Sequence, residues 1–234
     1  MSAQAANGPE HLFANPVWHA LHSRHREFAV GADEACRYPA DVAPFGAVAV
    51  PSPAALRQLR ALLVPGESVW LFGRHDLRAA ELRCVESLEC LQMLLEAGVA
   101  PLESALHVQR LAAADAPAMV ALTELAFPGF FRARTCAMGT YYGAFDDGAL
   151  VAMGGERLML DGYAEISGVC THPGYRGRGY ARQLIGQLMH DHHREGLRSW
   201  LHVGATNVRA IALYASMGFS VLRRVTLERL RRDA

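Results

Sequence analysis

Three observations predict an α/β (α+β) fold, built as a mixed, mostly antiparallel sheet flanked by helices. Asp146-Asp147-Gly148 and Asp161-Gly162 divide the alternating apolar runs 141–145, 150–160 and 163–171 into successive hairpins. After residue 180, Ala181, Leu184, Ile185, Leu188 and Met189 fall at i, i+3, i+4, i+7 and i+8, an apolar helix face that Gly196 is placed to end. A strand at 199–203, a helix at 207–217 closed by Gly218, and a strand at 219–230 complete the pattern.

In chain order, the first hundred residues suggest a helix at 16–28, a strand at 45–50, a helix at 53–63 and a strand at 68–72 ending at Gly73. The unit 54–73 loosely echoes 181–204, SVWLFG against SWLHVG, as a decayed duplication or as unrelated αβ packing. A linker is expected at 98–103, which divides a diverged αβ half at 1–104 from a second domain at 105–234. There, 107–111 reads as a strand and 113–125 as a helix with Met119, Leu122 and Leu125 on one face. FPGFFRART at 127–135 breaks regularity and reads as a lid. The second half therefore follows the order β-α-β-β-β-α-β-α-β.

Composition narrows the function. The chain has 234 residues, 51% of them apolar, and a formal net charge of zero, so no global field draws it to nucleic acid or an anionic membrane. All 23 cationic side chains are arginine, which leaves no lysine for Schiff-base chemistry. The 5 cysteines are scattered without a CxxC pair, so neither a disulfide framework nor a zinc site is indicated, and a reducing cytoplasm fits. No apolar run approaches about 18 residues, and the opening MSAQAANGPE lacks the charge and apolar pattern of a leader. A soluble, cytoplasmic chain is expected.

The most informative stretch is 165–181. An apolar strand, EISGVCT, passes through His172-Pro173 into RGRGYA, which opens the amphipathic helix. Small residues and arginines ahead of a helix N-terminus turn consecutive N–H groups toward one anion, so the stretch reads as a pyrophosphate cradle.

With these elements placed, residues 105–234 resemble the GNAT acyltransferase superfamily. The family's loop pattern, Q/R-x-x-G-x-G/A, is filled by Arg176, Gly177, Arg178, Gly179, Tyr180 and Ala181. Its second signature appears as Asn207, Ala210, Leu213, Tyr214, Gly218 and Phe219. The module looks most similar to glycine N-acyltransferase-like proteins. The resemblance implies an acetyl (acyl) group moved from acetyl-coenzyme A, or another acyl-coenzyme A, to a primary amine by direct attack in a ternary complex, with no metal. It implies amides of Arg178, Gly179, Tyr180 and Ala181 around the pyrophosphate, and the edge at Val169, Cys170 and Thr171 along the pantetheine arm. Gly168 inside that strand suggests a bulge or a close backbone approach that splays it from the strand at 199–203 and opens a cleft, with a backbone N–H near Val169 facing the thioester oxygen.

Further roles follow from the resemblance. Glu165 takes the place of the strand carboxylate that acts as base, and Tyr214 that of the general acid. Each has a structural alternative: Glu165 as partner of Arg134 or Arg157, Tyr214 as a core aromatic, and Asn207 as a helix N-cap. Cys170 reads as a small buried residue, not a nucleophile. Phe127, Phe130 and Phe131 line an acceptor pocket or anchor a loop, with Phe130 and Phe131 as the substrate candidates. His190 and His193 suit a solvated helix end better than a metal. The expected partner is a small-molecule or peptide amine, without nucleic acid or membrane, for a monomer or homodimer. The competing reading is a catalytically inactive acyl-coenzyme A-binding or regulatory module.

Overall fold

A computed structural model describes residues 10–78, 80–99 and 108–233. The elements run α1 (Glu10–Ala14), α2 (Pro16–Leu21), β1 (Val30–Ala32), β2 (Ala35–Arg37), β3 (Gly46–Val48), α3 (Pro53–Ala61), β4 (Ser68–Phe72) and β5 (Leu82–Leu95). They continue with β6 (Gln109–Arg110), α4 (Ala116–Glu124), β7 (Tyr141–Asp146), β8 (Ala149–Leu160), β9 (Tyr163–Thr171), α5 (Tyr180–Arg194), β10 (Arg198–Gly204), α6 (Val208–Ser216) and β11 (Phe219–Arg232). The hairpin turn at Asp147 and Gly148 has positive φ at both residues, 47° and 78°, the geometry that a two-residue connection between twisted strands requires. Ser52 caps α3 through a bond from the Ala55 N–H, and Asn207 caps α6 through one from Ala210, both 3.1 Å.

One eight-stranded sheet in the order β4-β11-β5-β10-β9-β8-β7-β6 carries the molecule, with β1-β2-β3 as a small second sheet. This sheet crosses the expected division at residue 104. β5 is inserted between β10 and β11, and β4 pairs with the other edge of β11, so strands from both halves share one hydrogen-bonded ladder. The boundary itself and the linker from residue 100 onward lie outside the described residues, as does the His107 end of the strand expected at 107–111. The expected helix at 16–28 ends at Leu21 and gives way to turns and a 3-10 segment, Arg26–Phe28.

The two faces of the sheet have different covers. Alternation along β10 sends Trp200 into the cluster with Phe13, Val17, Leu21 and Tyr38 of the N-terminal segment. Leu201 points the other way, toward Ile185, Leu188 and Met189 of α5. β9 and β10, the parallel pair, join only from Arg198↔Tyr163 to Leu201↔Ile166. Beyond that point β9 carries an extra residue opposite Gly154, since Met153 faces Cys170 while Gly155 faces Ser167. Gly168 sits in this bulge at φ +66°, where an added Cβ would also stand 3.2 Å from Cε1 of Tyr141. Gly168→Ala is expected to lower stability by about 1–2 kcal/mol, the left-handed backbone penalty, seen as a reduced urea midpoint with an unchanged m-value.

Candidate active site

The parting of β9 and β10 opens a groove with two connected chambers. The outer one, about 600 Å³, is bounded by Val169, Cys170 and Thr171 of β9, by Arg176, Gly177, Gly179, Tyr180 and Ala181, and by Arg182, Arg209 and Leu213. The inner one, about 360 Å³, is lined by Phe127, Phe130, Phe131, Tyr141, Arg157, His202 and Tyr214, among others. Phe127, Val169, Asn207 and Ala210 border both, so the two chambers adjoin.

The outer chamber has the properties of an anion cradle. α5 begins at Gly179 with no side-chain cap, which leaves the N–H groups of Tyr180, Ala181 and Arg182 without intrahelical partners. Gly177 and Gly179 lie at φ +80° and +84°, and nothing occupies the space where a Cβ would stand. Arg178 does not line the chamber: its guanidinium lies 4.7 Å over the ring of Tyr175. Cys170 is buried, and burial pushes its thiol up to about 12, so it is a neutral thiol. Asn207 both caps α6 and borders the groove.

The inner chamber joins the two halves of the chain. Phe130 stacks on Trp70 at 5.3 Å, and Phe131 meets Tyr141 edge-on at 5.5 Å. Thr135 Oγ donates to the Val42 carbonyl at 2.6 Å, which pins the end of the 127–135 segment to the N-terminal half. Leu88 and Cys90 of β5 and Leu227 of β11 complete the wall. Phe130 and Phe131 are thus ring-packed anchors and chamber walls at once.

Glu165 is enclosed by hydrogen-bond donors. Its side chain has 0% exposure. Arg157 donates to both carboxylate oxygens, Nε at 3.0 Å and Nη2 at 2.5 Å, and the Leu158 N–H adds a third bond at 3.2 Å. His202 Nδ1 lies 2.7 Å from Oε1. Burial pushes the carboxyl up, but Arg157 and His202 outweigh it and hold the group at about 2. The ion-pair alternative for Glu165 is the arrangement present: fixed donors surround the carboxylate and hold it as an anion. Of the two arginines named as partners, Arg157 fills the role, while Arg134 pairs with Asp41 at 3.3 Å.

His202, which the sequence reading left unassigned, is held in one tautomer. The ionised Glu165 only accepts, so Nδ1 carries the hydrogen. The amide nitrogen of Gln92 lies 2.9 Å from the Phe13 carbonyl and 3.0 Å from His202 Nε2, so it donates to both, and Nε2 is an acceptor. Burial lowers the imidazole below its ordinary 6.5, against the pull of Glu165. His202 is neutral at pH 7, and its lone pair is already engaged. A polar residue between Leu201 and Val203, on the inward side of a strand, was the available sequence signal. The helix end at 190–193 is also not wholly solvated: His192 is buried between Ser199 Oγ at 2.8 Å and Glu156 Oε1 at 3.0 Å.

Tyr214 has no hydrogen-bond partner among the described residues, and it borders the inner chamber. Burial pushes its hydroxyl up to about 12, so it keeps its proton at neutral pH.

Comparison with known proteins agrees with this geometry. The model of the acetyltransferase (GNAT) family matches residues 109–219. The crystal structure of a protein assigned to that family, from Novosphingobium aromaticivorans, superposes with a TM-score of 0.87 at 32% identity, over 97% of this chain and 100% of the other. This chain belongs to the GNAT acetyltransferase family. The GNAT fold recurs in a GCN5-related N-acetyltransferase from Kribbella flavida, with TM-score 0.62, 18% identity, and 97% and 96% of the two chains covered. The [ribosomal protein bS18]-alanine N-acetyltransferase of Escherichia coli K12 is 33% identical over 75 residues, 32% of this chain and 50% of that protein. The chain spans about half the length of the curated GNAT relatives it matches.

The buried pair makes a prediction about acid stability. Glu165 titrates at about 2 in the folded chain against 4.5 ordinarily, so it contributes stability above pH 4.5 that is lost as pH falls toward 2. The size is roughly 3 kcal/mol, at 1.36 kcal/mol for each unit of pKa. Glu165→Gln should remove this acid dependence and lower stability at pH 7 by about 3–5 kcal/mol, because Arg157 keeps a buried, unpaired charge. Denaturant midpoints taken across the acid range for both chains check it.

Proposed function

We propose that the chain transfers an acetyl group from acetyl-coenzyme A to a primary amine by direct attack while both are bound. The observation that carries this reading is the continuous groove, which links the open N-terminus of α5 to the aromatic chamber through the gap between β9 and β10. The N–H groups of Tyr180, Ala181 and Arg182 would receive the diphosphate, with Arg176 and Arg209 nearby. The unpaired edge of β9 at Val169, Cys170 and Thr171 would hold the pantetheine arm by backbone bonds. Bound there, acetyl-coenzyme A supplies an activated acyl group and a thiol as leaving group. The E. coli relative, by its name, acetylates the alanine of a ribosomal protein, which is the same amine chemistry.

Tyr214 is the proton donor in this reading. Its hydroxyl gives a proton to the departing sulfur and recovers one from the nitrogen that has formed the amide bond, so the side chain ends unchanged. No accessible group of the chamber accepts a proton from an ammonium. Cys90, Tyr141, Arg157, His202 and Tyr214 are its ionisable side chains; Arg157 is paired, and His202 is held neutral with its lone pair engaged. The amine therefore reacts as the free base, which an apolar chamber favours by desolvation. Glu165 acts as a positioning residue for Arg157 and His202.

Two outcomes test the reading. Thiol release from acetyl-coenzyme A with an amine should fall about 100-fold in kcat for Tyr214→Phe, a loss typical of a missing general acid, with little change in coenzyme A affinity. Binding without release for any amine would overturn the transfer claim, as would mass spectrometry that finds an acetylated Cys170 passing its group onward. The second outcome concerns pH. kcat/KM should rise tenfold per pH unit up to the acceptor's own pKa, near ~10, and should move with that pKa from one amine to another. A plateau set by a fixed lower pKa would place a base on the protein instead.

A further inference from the structure

Charge, volume and wall chemistry of the inner chamber bear on the acceptor, and the inference drawn from them rests on the transfer reading above. No acidic side chain lines the chamber. Glu165, the carboxylate bonded to the lining residues Arg157 and His202, has no exposed side-chain surface. A second ammonium on the acceptor would have no counter-charge. The one cation, Arg157, spends its bidentate face on Glu165, so an acceptor carboxylate would meet a neutral pair and lose its hydration without a compensating charge. What the walls offer is mostly aromatic and aliphatic surface, Phe130 backed by Trp70, Phe131 set against Tyr141, and Leu88 and Leu227, with the uncharged polar side chains of Thr135, Ser167 and Asn207 beside it.

Volume limits the class further. A cavity of about 360 Å³ lies at the small end of the ~300–1,000 Å³ that ligand pockets span, and the thioester end of the donor must share it. The 127–135 segment, tied to Asp41 and Val42 by backbone and hydroxyl bonds, supplies Phe127, Phe130, Phe131 and Thr135 as a fixed side of that small space.

We propose that the acceptor is a small monoamine with an uncharged aromatic or aliphatic body, and that neither amino acids carrying a free carboxylate, nor diamines, nor polypeptide N-termini are its substrates. The amine nitrogen faces Tyr214 and the ring or chain of the body lies against Phe130, Phe131 and Leu88. The N-terminal half of the chain is then the specificity element, because Leu88 and Cys90 come from β5 and Trp70 backs Phe130.

The decisive comparison uses 2-phenylethylamine against phenylalanine, which differ only by the carboxylate, with putrescine and an alanine-initiated hexapeptide as further probes. Each is titrated into the full chain with and without coenzyme A, and each is assayed with acetyl-coenzyme A. Expected is a kcat/KM for 2-phenylethylamine about 100-fold above phenylalanine and putrescine, the scale of a buried charge left unpaired, with no detectable acetylation of the peptide. Equal or preferred use of phenylalanine, putrescine or the peptide overturns the acceptor class while leaving acetyl transfer in place. Selective binding of 2-phenylethylamine without turnover supports the acceptor class and sinks the transfer reading. Failure of every amine to bind or react overturns the acceptor class.

Discussion

The parallel pairing of β9 with β10 stops after Leu201↔Ile166, and the rest of the molecule is arranged around that gap. Two strands that part leave a row of N–H and C=O groups unpaired, each costing on the order of 1 kcal/mol or more if it stays dry. The gap persists because each strand is held along its other edge. β9 pairs with β8 through Thr171, and β10 pairs with β5 from Trp200↔Leu94 to Gly204↔Cys90. With those ladders complete, neither strand can follow the other. The bulge at Gly168 adds the local bend, and the opened edge becomes a place where an extended ligand can complete the pairing.

The gap also sets what each face of the sheet contributes. Alternation puts Ile166, Leu201 and Val203 toward α5 and α6, the face with the open helix N-terminus. It puts Trp200 on the opposite face, packed with the N-terminal segment, and Glu165 is paired with Trp200 and bonded to His202 there. A ligand that enters beside α5 therefore passes through the sheet into a chamber whose far wall comes from the first hundred residues. Burying an ion pair in that wall is costly, and Arg157 and Glu165 tolerate it only because Leu158 and His202 satisfy the remaining oxygen sites. The result is a polar root beneath a chamber with no uncompensated charge.

Legibility in the sequence followed how local the determining interactions were. The hairpin turns and the helix cap at Asn207 are set by residues a few positions apart, and each was readable. β5 was not. Its sequence, LRCVESLECLQMLL, is rich in Leu, Glu, Gln and Met, residues that favour helices, and Val85 is its one β-branched residue. It is a strand because β11 pairs along its length and β10 pairs with it from Cys90 to Leu94, a tertiary demand that propensity does not record. Missing β5 also hid Gln92, and with it the reason His202 is locked. The environment of Glu165 was hidden for the same kind of reason: the residue was readable on β9, but its burial depends on Arg157 and His202, which reach it from neighbouring strands.

Tying a specificity wall to a strand inside the catalytic sheet has a physical consequence. Leu88 is registered against Leu227, and Cys90 against Val225 on one side and Gly204 on the other, so both Cα positions are fixed by backbone pairing, that of Cys90 from two sides. Side chains on such a strand can change the shape of the chamber without moving the groove that holds the donor. A loop in the same place would be free to shift, and a change of acceptor would then disturb donor alignment as well. Under the proposed function the donor's edge belongs to β9 and the acceptor's wall to β5, with β10 as a shared rigid divider, so the two halves of the site would vary separately while the reacting atoms keep one geometry.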